Sequence, residues 1–72
     1  MLTIKDQIKE LLENSEFKSM RQLAIHLGIS PNNLENNLSG RFNISSKRMI
    51  ALAQALNVSV DKIARIFYPE MF

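Results

Sequence analysis

Apolar residues recur along the chain at helical spacing, and no stretch alternates with the period of two that a half-buried strand requires. Ile4, Ile8, Leu11 and Leu12 fall at i, i+4, i+7 and i+8, the inner stripe of an amphipathic helix over roughly residues 3–14. Thr3 stands where it can cap that helix, with Asp6 in the favourable first turn. Ser19-Met20-Arg21-Gln22 has the form of a capping box, and Leu23, Ala24 and Leu27 mark the inner face of a short second helix. Gly28 follows where a helix end favours a left-handed residue. Only Ile29 separates it from Ser30-Pro31, a second cap followed by proline at the first helical position, with Ile29 and Leu34 spaced as a hydrophobic staple. A third helix is expected over residues 31–38, stopped at Ser39-Gly40. After a loop through Arg41-Phe42-Asn43-Ile44, Ser45 or Ser46 starts a fourth helix striped by Met49, Leu52, Ala53 and Leu56. Ser59 caps a fifth, with Val58 and Ile63 as its staple and Asp61 in its first turn, and Tyr68-Pro69 ends it. The pattern predicts an all-α, compact five-helix domain over residues 1–72, with a helix-turn-helix at about 19–38 and a short apolar tail at 67–72.

Composition narrows the chemistry. The chain has no cysteine, so neither disulfides nor thiolate metal sites are expected, and a hydrophobic fraction of 46% is too high for disorder. No apolar run approaches the ~18 residues of a membrane span, and Lys5 and Asp6 place charge near the amino terminus. No membrane partner is expected, and a cytoplasmic location fits. His26 stands alone, without a second His or Cys, and no carboxylate pair, glycine-rich phosphate loop or nucleophile–base set is present. No enzyme activity, metal or cofactor is therefore expected. A formal charge of +2 permits nucleic acid as a partner without requiring it.

Ser19-Met20-Arg21-Gln22-Leu23-Ala24, then Leu27-Gly28-Ile29-Ser30 and a closing Ser39-Gly40-Arg41, resemble the Cro and lambda-repressor type of helix-turn-helix, the XRE family. Ala51-Leu52-Ala53-Gln54-Ala55-Leu56-Asn57-Val58-Ser59-Val60-Asp61 is similar to that family's fourth helix and its junction to the fifth, so the resemblance covers roughly residues 3–66. It implies a compact five-helix domain, usually regulatory and often dimeric, common in temperate phages. The chain departs from the family pattern at three places. Pro31 stands where relatives often carry a base-reading side chain, Met20 where they usually carry a phosphate-touching glutamine, and Asn37 where they usually carry an apolar residue.

In a helix-turn-helix the second helix of the pair presents its amino-terminal residues to the major groove. At about 100° per residue, Leu34 and Leu38 point inward and Asn32 and Asn36 outward, with Asn33 and Glu35 on the flanks. An asparagine amide can pair bidentately with adenine N6 and N7, so Asn32 and Asn36 are the candidate readers. The same helix holds no Lys or Arg, a handicap where phosphate contacts supply affinity. Lys18, Arg21, Arg41, Lys47 and Arg48 are the candidate phosphate-contacting rim. Tyr68, Met71 and Phe72 concentrate aromatic and sulfur surface at the carboxyl end, and with Met20 they are the candidate protein interface.

Two functions remain open. In one, the chain is an autonomous Cro-type dimeric repressor that binds operator DNA. In the other it is an anti-repressor that binds a co-encoded phage repressor and blocks or changes its DNA binding. The length, the opening Met1-Leu2-Thr3-Ile4 and the lysine- and arginine-free third helix resemble the small modulator-of-repression proteins of temperate phages of Gram-positive bacteria. That resemblance implies work beside a larger repressor in a lysis–lysogeny switch, with operator DNA as a further partner and weak self-association through the tail.

Overall fold

Each helix begins at a side-chain cap that the sequence supplies. In the computed structural model, which describes residues 2–71, α1 runs Ile4–Glu13 behind Thr3, whose hydroxyl accepts from the Asp6 amide at 3.1 Å while Asp6 accepts from the Thr3 amide at 3.2 Å. The expected outer positions 3 and 14 are thus the caps Thr3 and Asn14. α2 spans Met20–Leu27 behind Ser19, and α3 spans Pro31–Leu38 behind Ser30. α4 spans Ser46–Leu56 behind Ser45, and α5 spans Val60–Phe67 behind Ser59. A short 3-10 turn, Pro69–Met71, follows. Among the described residues there is no strand.

Two details differ from the expected caps. Gln22 does not close the box at Ser19; its side-chain oxygen accepts instead from the Lys18 amide at 3.1 Å. Glutamine is one methylene longer than the Asp6 that closes the box on α1, and it reaches past the cap. At the end of α4, Asn57 adopts φ 58°, a left-handed residue matching the Gly28 cap of α2 at φ 74°.

One fully buried side chain from each helix meets at the centre: Ile8, Leu23, Leu34, Leu52 and Ile63. Burial of each contributes roughly 1.5–3 kcal/mol. Leu12, Ala24, Leu38, Ile44, Ala53, Leu56, Ile66 and Phe67 complete the core, so the expected inner stripes of the first four helices are the packed ones, and Ile63, Ile66 and Phe67 supply that of the fifth. α4 lies along α5, α2 packs on both α3 and α4, and α1 leans on α5. The body measures 29 × 25 × 24 Å, and α3 keeps its polar side turned outward.

Candidate nucleic-acid or protein interface on the third helix

α3 stands out from the body because its short apolar stripe, Leu34 and Leu38, is inward and everything opposite is polar. Asn32 and Asn33 are exposed, Asn36 and Glu35 half-buried. Asn32, Glu35, Asn36, Ser39, Gly40 and Arg41 line one shallow, open depression along this outer side. The helix end is closed by the following loop: the Arg41 and Phe42 amides donate to the Asn36 carbonyl at 3.0 and 3.3 Å, and the Ser39 hydroxyl donates to it at 3.2 Å. Arg41 is thereby fixed at the carboxyl end of the depression with its side chain exposed.

The other expected rim residues divide into two groups. Lys18 and Arg21, near the start of α2, and Lys47, at the start of α4, are exposed. Arg48 is half-buried, and its Nη1 donates to the Asn37 side-chain oxygen at 3.1 Å. Asn37 is itself 7% exposed and also donates from Nδ2 to the Phe42 carbonyl at 3.4 Å. The unusual asparagine therefore packs without a defect, because it exchanges an apolar contact for two hydrogen bonds. Its inward position was readable, since Leu34, Asn37 and Leu38 fall at i, i+3 and i+4. Its partner Arg48 was not readable.

Glu35 is also engaged. Its carboxylate meets Lys5 Nζ of α1 at 2.6 Å, both side chains being about half exposed at 46% and 44%. This pair ties the flank of α3 to α1 across thirty positions of sequence.

The candidate interface residues outside α3 are scattered. Met20 is half-buried against the core, and with Leu12 and Phe17 it lines a groove bordered by Lys5, Lys9 and Lys18. Tyr68 is half-buried too, and its hydroxyl donates to the Ile44 carbonyl at 3.3 Å, fastening the end of α5 to the loop before α4. Met71 is 73% exposed, and Phe72 lies outside the described residues. His26 rests its ring on Phe17, centroids 4.9 Å apart.

The geometry is that of two short helices joined by a glycine turn, the second one presented outward, within a five-helix core. Residues 6–65 match the family model described as the bacteriophage CI repressor helix-turn-helix domain. The chain belongs to that family. Comparison with curated proteins and with solved structures finds no significant match. Membership in the CI repressor helix-turn-helix family makes the chain a phage-type transcription regulator of a DNA-binding class. The outer side of α3 is built from amides and one carboxylate, with Arg41 at its carboxyl end. Among the described residues no helix is long and apolar enough to cross a membrane.

Proposed function

We propose that this chain is an anti-repressor of a phage lysis–lysogeny switch, acting in the bacterial cytoplasm. In this reading the outer side of α3 (Asn32, Asn33, Glu35 and Asn36) docks on the DNA-reading surface of a co-encoded repressor and blocks or changes its DNA binding. The observation that carries the proposal is the absence of any Lys or Arg from α3, together with the carboxylate beside its amides. A surface that contacts DNA must neutralise phosphates, whereas one that covers another protein's basic reading helix gains from amides and a carboxylate. Glu35 is available for that exchange. A half-exposed pair such as Lys5–Glu35 is worth only about 0–1 kcal/mol, so an arginine of the partner can compete for it.

The second reading is an autonomous Cro-type operator repressor. It is favoured by the exposed cations Lys18, Arg21, Arg41 and Lys47, of which Arg41 lines the depression, and by the outward amides of Asn32 and Asn36. Met71, exposed on the final turn, is the residue best placed for weak self-association under either reading, while Met20 and Tyr68 contribute only their exposed edges.

The two are separated by fluorescence anisotropy on a labelled duplex carrying the operators beside the gene. The chain is titrated alone, and then onto duplex already bound by the neighbouring repressor. Release or alteration of the repressor–DNA complex without binding alone supports the anti-repressor. Tight, sequence-selective binding alone establishes the operator repressor instead.

A further inference from the structure

We infer that Asn37 and Arg48 form an internal latch that commits the Arg48 guanidinium to the carboxyl end of α3 and withholds it from any polyanion on the outer surface. The inference rests on the reading of the outer side of α3 and its rim as the contacting surface. It removes one cation from that rim and makes Asn37 a positioning residue.

Asn37 is the only polar side chain among the buried described residues, and it sits on the inward side of α3 between Leu34 and Leu38. A buried amide must have both its donor and its acceptor matched. Here the Nδ2 donor goes to the Phe42 carbonyl of the loop, and the Oδ1 acceptor takes the Arg48 Nη1 donor from the first turn of α4. Among the described residues no buried side-chain polar atom is left unmatched. Turning Arg48 outward would strand the Asn37 oxygen in the core.

A second influence holds the guanidinium in the same place. The carboxyl end of a helix carries partial negative charge, and the last turn of α3 contains no basic residue of its own. Arg48 supplies that charge from a neighbouring helix. Arg41 differs: its backbone amide closes the end of α3 while its side chain remains exposed. The two arginines that flank the end of α3 thus do different work, one structural and one facing out. The latch also joins α3, the loop bearing Arg41, and α4 bearing Lys47, so it fixes the spacing of the remaining rim.

The test is the salt dependence of binding to a random-sequence duplex at low ionic strength, read by anisotropy on the whole chain. Each phosphate contact adds about 0.9 to the slope of log K against log salt. Arg41→Ala is expected to lower the slope by about that amount, and Arg48→Ala to leave it unchanged while lowering the melting temperature. Asn37→Leu, of similar volume, is expected to free Arg48 and raise the slope by about 0.9, and the gain disappears in Asn37→Leu/Arg48→Ala. A slope lowered by Arg48→Ala, or a folded Asn37→Leu chain with no gain, overturns the latch. A thermal-melt cycle judges it without DNA. Asn37→Ala combined with Arg48→Ala should lose clearly less than the sum of the two single losses, and additive losses refute it. If Arg41→Ala leaves the slope unchanged while the melt cycle shows coupling, the DNA-facing reading of the rim fails and the latch stands.

Discussion

Replacing Asn32 and Asn36 together with alanine separates the fold of α3 from its use. Neither side chain takes part in a hydrogen bond among the described residues, and the three donors that close the helix end go to the backbone carbonyl of Asn36, which alanine retains. Both positions face away from Leu34 and Leu38, so no cavity is created. Alanine has the higher helix propensity, by up to ~0.7 kcal/mol per site, less at Asn32 because it lies in the first turn. The double variant should therefore melt at or slightly above the parent temperature. For a domain of this size a gain of 1 kcal/mol corresponds to about 4–8 °C. Binding should fall instead. If each amide makes one bidentate contact worth about 1–3 kcal/mol, the loss is between roughly thirtyfold and twenty-thousandfold against the operator. Against a protein partner the amides sit in the contacting surface and the loss should exceed tenfold. Circular-dichroism melts and the anisotropy titration read the two effects on the same sample. A lowered melting temperature would show that α3 turns a different side to solvent, and unchanged binding to both duplex and repressor would remove this surface from function.

Further consequences concern the scaffold. Leu34→Ala removes a fully buried side chain and should cost about 2–5 kcal/mol, enough to leave a cysteine-free domain this small largely unfolded at physiological temperature by thermal melt. Tyr68→Phe deletes only the bond to the Ile44 carbonyl and should cost about 1 kcal/mol in chemical denaturation; no loss would show that water replaces the hydroxyl. Asn57→Gly should preserve stability, whereas Asn57→Ala should lose about 1 kcal/mol at the left-handed cap. Removing residues 70–72 should weaken self-association in sedimentation equilibrium without lowering the melting temperature, and a large thermal loss would place Met71 in the packing instead.

What could be read from the chain was local. Five Ser/Thr caps, two staples and the Gly28 turn set the helix ends within a residue, because each signal acts over four or five positions and faces no competing tertiary demand. The inner stripes were equally legible, since a helix of known phase dictates which residues share a side. The outward amides of α3 followed from the same projection. The half-burial of Met20 and Tyr68 was not legible, because each lies at an element boundary where the periodicity lapses and burial depends on what packs across it.

Which charged and polar side chains pair within the chain was decided only by tertiary structure. Lys5 and Glu35 are thirty residues apart, and Arg48 and Asn37 eleven, so their meeting depends on how α1 and α4 pack beside α3. Composition counts all these charges alike. Burial distinguishes them, because a buried amide requires a matched donor while a solvated cation requires nothing. The sequence by itself determined the five helices, their inward sides and the polar character of α3. The packing decided which arginine serves the fold and which is left for a partner.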